Sequence, residues 1–160
     1  MVRFAWMLLL PLGGCFWTEA FRPLAAASSD WYEVGPVRKP LKEVMEAAQF
    51  YLLRSGYFIP RWNPADRGFE TDWDTNLSSH WREGFRTKVE VKFPEQPDGS
   101  TLIRIRSYRE FNDDPRFPAM ADKAKWLGAS TEDKQAPLIP EPAIKLRQHL
   151  KVRFFGLAND

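Results

Sequence analysis

The chain has 160 residues, with 23 Lys and Arg against 21 Asp and Glu, for a formal net charge of +2. That length supports one domain with a real core, and the near-balance of charge gives no reason to expect nucleic acid or an anionic surface as partner. Cys15 is the only cysteine, which excludes an internal disulfide and a thiolate metal site. Thirteen prolines, seven tryptophans and twelve phenylalanines describe an aromatic, turn-rich domain, and the sequence has no internal repeat.

The N-terminus reads Met1-Val2-Arg3, then an apolar run over residues 4–12, then Gly13-Gly14-Cys15. A short basic start, an apolar stretch and small residues before a cleavage point make a secretory signal rather than structure. The run falls far short of the roughly 20 apolar residues a membrane-spanning helix needs. Leu12-Gly13-Gly14-Cys15 resembles the lipobox of bacterial lipoproteins. The resemblance implies that residues 1–14 are removed, that Cys15 carries a thioether-linked diacylglycerol, and that the rest acts outside the cytoplasm. One acyl chain holds a protein marginally and two or more hold it stably. A free thiol in a buried N-terminal helix, or a cleaved signal with no lipid, are the competing readings. Phe16 follows the cysteine, where lipoproteins retained at the inner membrane carry Asp. The resemblance therefore implies an outer-membrane lipoprotein facing the periplasm.

Residues 15–30 form the expected tether, with the small run Ala25-Ala26-Ala27-Ser28-Ser29. At up to ~3.5 Å per residue it keeps the domain within roughly 50 Å of its membrane. One domain is expected over 31–155, with a tail at 156–160. Pro40 suits the first position of a helix and Gly56 its C-terminal glycine. Between them Leu41, Val44, Met45, Ala48 and Leu52 mark one apolar face, with Lys42, Glu43, Glu46, Gln49 and Arg54 on the other side. Residues 57–59 and 68–73 read as two strands of a hairpin around Pro64-Ala65-Asp66-Arg67. Over 85–93 the pattern alternates strictly, Phe85, Thr87, Val89, Val91 and Phe93 against Arg86, Lys88, Glu90 and Lys92. After the turn Pro97-Asp98-Gly99, Thr101, Ile103, Ile105 and Ser107 alternate with Leu102, Arg104, Arg106 and Tyr108. Residues 112–140 are irregular, with a short helix expected over 119–127 carrying Trp126. Pro142 opens a last helix whose Ile144, Leu146, Arg147, Leu150 and Phe154 keep a helical period, ending before Gly156. The expected fold is α+β: a helix, a four-stranded antiparallel sheet, and a C-terminal helix packed on one sheet face while the other stays solvated.

Gly68-Phe69-Glu70-Thr71-Asp72-Trp73, Arg86-Thr87-Lys88-Val89-Glu90-Val91 and Thr101-Leu102-Ile103-Arg104-Ile105, with Trp126 before the last helix, resemble the helix-grip domains of the BamC (NlpB) lipoproteins. The likeness covers roughly residues 31–152. It implies a helix-grip-like fold, an envelope location and an accessory role in assembling outer-membrane β-barrels. The chain departs from BamC in having one such domain and only a short tether.

The candidate chemistry is sparse. A zinc site needs three or four ligands and would have to combine both histidines with carboxylates, but His80 is expected in a polar loop and His149 on the exposed side of the last helix. No metal is expected. Asp72 and Asp74, at i and i+2 on a strand, would share a face as an acid–base pair or a solvated strand end. No nucleophile elbow, phosphate loop or His-Glu-x-x-His motif occurs, so neither an enzyme nor a cofactor is expected. Trp62, Phe69, Trp73 and Trp81 line a possible groove between sheet and helix or simply fill the core. Arg82, Arg86, Arg104, Arg106 and Arg109 are expected on the open sheet face. There they pair with Glu83, Glu90 and Glu110, or contact a protein or peptidoglycan. The chain thus reads as a non-enzymatic, membrane-anchored accessory or scaffold that binds other envelope proteins. The alternative is a lipid-anchored small-ligand carrier with a cavity between sheet and C-terminal helix. A sizeable apolar cavity favours the carrier, and a filled core with an exposed apolar or aromatic patch favours the scaffold.

Overall fold

The computed structural model describes residues 27–28, 31–59, 61–80, 83–128 and 141–156. Leu12, Gly13, Gly14, Cys15, Trp81 and Arg82 lie outside them, and so does most of the expected tether. In chain order the elements are β1 (Ala27–Ser28), β2 (Tyr32–Val37), α1 (Leu41–Arg54), β3 (Arg61–Asn63), β4 (Gly68–Glu70), β5 (Asp74–Asn76), β6 (Phe85–Lys92), β7 (Thr101–Asn112), β8 (Trp126–Gly128) and α2 (Glu141–Phe155). All pairings are antiparallel, so the protein is α+β.

The strictest alternation builds the centre of the sheet. β6 and β7 pair in register from Phe85↔Phe111 to Lys92↔Arg104. On its other side β7 carries β2, β1 and β8 end to end, while β6 carries β4 and β5, and β4 pairs with β3.

The expectation of four strands is corrected: among the described residues the sheet has eight. One cause is a break in the strand expected over 68–73. Glu70 pairs with Glu90 and Asp74 with Thr87, so residues 71–73 face only 88–89, a β-bulge. Thr71 holds it. Its N–H donates to the Val89 carbonyl at 2.9 Å, and its hydroxyl accepts the Val89 N–H at 3.0 Å. The second cause is the row β2, β1 and β8, short segments whose sequences carry little periodicity. Ala27–Ser28, within the segment read as tether, pairs with Arg109 and Tyr108. Residues 57–59 do not form the expected strand, and Arg61–Asn63 pairs with β4 instead. The helix expected over 119–127 is a 3-10 turn at Ala121–Lys123 followed by β8.

Both helices cover one face of the sheet. Val44, Ala47, Ala48 and Leu52 of α1, with Ala143, Leu146 and Leu150 of α2, close on Val34, Val89, Val91, Phe93, Ile103 and Ile105. The larger of these side chains, buried this fully, contribute about 1.5–3 kcal/mol each. α1 ends as its glycine implies. Gly56 has φ +89, its N–H reaches the Leu53 carbonyl at 3.1 Å, and the Tyr57 N–H reaches Leu52 at 3.0 Å, a Schellman motif that carries Tyr57 into the core. Gly68 is demanded by proximity, because a Cβ there would stand 2.4 Å from the Val91 carbonyl oxygen.

Candidate functional site

The side chains of β6 and β7 that point away from the helices build an aromatic and charged surface. The bulge adds Trp73 to it. In an unbroken strand Trp73 would share a face with Phe69 and Thr71, which are buried on the helix side. The extra residue flips the alternation, so Asp74 lies opposite Thr87 and Trp73 lies over Arg86 at 4.4 Å and Lys88 at 5.4 Å. Register extends β2 back to Trp31 beside Arg106, since Tyr32 pairs with Ile105. β8 brings Trp126 opposite Asn112.

Rings and cations then alternate across the face. Trp31 lies 4.4 Å from the Arg106 guanidinium, which lies 4.8 Å from the Tyr108 ring. Lys88 is 4.8 Å from Tyr108, and Arg86 lies between Trp73 and Trp126, at 4.4 and 4.7 Å. Contacts of this kind contribute about 0.5–1 kcal/mol each where exposed and more where desolvated.

Carboxylates neutralise the cations. Arg86 donates to Glu110 from Nε at 2.6 Å, Lys88 pairs with Glu70 at 2.7 Å, and Arg104 with Glu33 at 3.0 Å. Glu90 is central. It is 5% exposed and accepts Arg106 Nε and the Tyr108 hydroxyl, both at 2.6 Å, with Lys92 at 3.2 Å. Burial pushes its carboxyl up, but the hydrogen bonds from Tyr108, Arg106 and Lys92 outweigh burial and hold it below its ordinary value. The Tyr108 hydroxyl is pushed well up, by burial and then by its bond to Glu90. At the end of the face Asn112 is 1% exposed. Its amide donates to the Pro118 carbonyl at 3.0 Å, and its oxygen accepts the N–H groups of Asp114 and Lys125 at 3.1 and 3.0 Å. That fixes the loop leading into β8.

The structure does not gather the expected groove. Phe69 is buried against Phe93 at 5.9 Å, and Trp62 packs on Phe93 at 6.0 Å from the partly buried rim. Trp73 is on the opposite face. Of the arginines, Arg86, Arg104 and Arg106 lie on the open face as expected, but Arg109 does not. It shares the helix side with Thr87, over the Phe85 ring at 4.6 Å. Its odd number on β7, like that of Ser107 and Phe111, was the available signal. Trp31, Tyr108 and Trp126 were not singled out as site residues, although Tyr108 keeps the parity of Arg104 and Arg106.

On the helix side, a cleft of about 380 Å³ opens between the end of α1 and the start of α2, with Tyr57, Asp74, Phe85, Thr87, Arg109 and Lys145 among its walls. Asp72 and Asp74 are both exposed, but the bulge sets them apart from a simple shared face. His80 is exposed near Glu83, 3.5 Å from its carboxylate. The expectation for His149 is corrected: it is half-buried and stacked on Tyr51 at 4.5 Å between the helices. Burial, then the nearby Arg153, lowers its pKa. Among the described residues, no group of three or more His, Cys, Asp or Glu could hold a metal ion, and no helix is long and apolar enough to cross a membrane. No protein-family model matches the chain, and no curated protein matches it.

Proposed function

We propose that the chain is a non-enzymatic envelope lipoprotein, tethered at the outer membrane through Cys15 and acting by binding other envelope proteins. One observation carries the binding role. Over a filled core, the helical layer leaves large apolar side chains exposed: Phe50 at 55%, Leu53 at 54%, Val152 at 50% and Phe155 at 43%. Single exposed apolar residues are ordinary, but Phe50 and Leu53 line one shallow depression on α1 together with Arg153 of α2, and a continuous exposed apolar surface marks a contact site. The narrower form of the reading is a helix-grip-like domain serving outer-membrane protein assembly. Its supports are the lipobox, the strand motifs and the packing of both helices on one sheet face.

A photo-crosslinking residue at Leu53 tests it in cells. A discrete adduct with another envelope protein is expected there, and not from Thr75 on the sheet edge. If positions 50, 53 and 152 all give no adduct, the protein-binding role fails.

A second reading keeps one observation of its own. The cleft beside Tyr57 and Arg109 is within the size range of small-molecule sites, about 300–1,000 Å³. A carrier would extract with a bound small molecule visible by native mass spectrometry. The cleft's charged walls, Asp74, Arg109 and Lys145, fit a polar small ligand better than a purely apolar one.

A further inference from the structure

We infer that the open face of the sheet, with Trp31, Arg106, Tyr108, Lys88, Trp73, Arg86 and Trp126 in alternation, binds the glycan strands of the cell wall. The inference rests on the envelope location proposed above, and it concerns the face opposite the helices.

Charge narrows the partner first. Arg86, Lys88, Arg104 and Arg106 are each paired with a carboxylate of Glu110, Glu70, Glu33 or Glu90. A nucleic acid is bound through an excess of unneutralised cations that displace counterions, whereas this face comes close to balance, with Lys92 sharing the Glu90 carboxylate with Arg106. A hydroxyl-rich, weakly charged polymer needs no such excess. Its sugar rings offer C–H faces to stack on indoles, and its hydroxyls suit the planar, bidentate edges of guanidinium and carboxylate groups.

Form narrows it further. Trp31, Trp73, Tyr108 and Trp126 are all half-buried, so each ring is fixed in part and presented in part. The cations between them are held by rings and carboxylates together, which lowers the entropy lost when a ligand arrives. Along β7 the aromatic row runs from the level of Arg106, beside Trp31, to Asn112, opposite Trp126. At ~3.4 Å per residue that is roughly 20 Å, the reach of an oligosaccharide strand rather than of one sugar.

The test is sedimentation of the full-length protein in mild detergent with purified peptidoglycan sacculi, at 0.15 and 0.5 M salt. Wild type is expected to co-sediment at both, because stacking is not screened. The double variant Trp31→Ala/Trp73→Ala, if it unfolds like wild type, is expected to bind at least ten-fold more weakly. Should that variant fail to fold, Trp73→Leu keeps apolar cover without the flat ring and is expected to lose several-fold. Wild type left in the supernatant overturns the inference. So does undiminished binding by the folded variants, release by 0.5 M salt, or displacement by single-stranded DNA. The assay reads the face without the anchor. Sacculus binding by a chain that carries no lipid would sink only the tethered reading, and a lipidated chain that ignores sacculi would sink only this inference.

Discussion

Replacing Glu90 by Ala removes the group on which the open face converges. Its carboxylate accepts Arg106 Nε and the Tyr108 hydroxyl at 2.6 Å each and lies 3.2 Å from Lys92. Removing one partner of a fully buried ion pair costs about 3–5 kcal/mol. Here the side chains of Arg106 and Lys92 are 28% and 34% exposed, so water recovers part of that loss, and about 2–3 kcal/mol is expected. For a domain of this size, that corresponds to a fall in Tm of roughly 6–15 °C. Glu90→Gln keeps an acceptor for Tyr108 and Arg106 and loses only charge, so about half the effect is expected. The pH dependence has a definite sign. A carboxyl held below its ordinary value contributes stability that is present above the unfolded pKa and is lost as pH falls through the folded one. The wild type should therefore lose more stability between pH 5 and pH 3 than Glu90→Gln does. Urea unfolding at pH 7 and across the acid range reads all of this. If Glu90→Ala unfolds within 0.5 kcal/mol of wild type, the carboxylate does not hold the face together and the reasoning fails.

Two other substitutions probe the packing between the helices and the bulge that sets the face. His149 has a lowered pKa, so its neutral form is favoured on folding and stability is present above the unfolded pKa near 6.5. Stability should fall between pH 7 and pH 5 in wild type, and the fall should shrink in His149→Phe, which keeps the stack on Tyr51. Equal urea midpoint shifts in the two proteins would contradict that role. Thr71→Val removes the hydroxyl that accepts the Val89 N–H at 3.0 Å. A loss of about 1–3 kcal/mol is expected for a buried donor left without its acceptor. Tryptophan fluorescence should also shift as Trp73 leaves its place over Arg86. An unchanged melting curve and spectrum would show that the bulge does not depend on that bond.

Much of the fold was legible where periodicity was long and unbroken. The alternation over 85–93 and 101–108 placed β6 and β7 with the correct faces, because a charged side chain every second residue leaves one arrangement for a half-covered sheet. Pro40 and Gly56 bounded α1 for local reasons that packing did not override. The bulge was not legible. Thr71, Asp72 and Trp73 carry no Gly or Pro to mark it, and parity counted across it put Trp73 with Phe69 in a groove. β1 and β8 are not legible because strands of two or three residues have no period to detect. β2 contains Gly35 and Pro36, which read as a turn. Trp126 was expected on a helix, since its strand is defined by pairing with Asn112 rather than by its own sequence. The burial of His149 is not legible in α2 alone, because it is the neighbouring α1 that brings Tyr51 against it.

The tethered reading rests on Leu12-Gly13-Gly14-Cys15, and intact mass tests it most directly. Membrane-extracted wild type and Cys15→Ser should be compared, with separation of inner and outer membranes. A wild-type mass that lacks residues 1–14 and is raised by acyl chains is expected in the outer-membrane fraction, with both changes lost in Cys15→Ser. A full-length, unmodified mass in the soluble fraction would contradict it.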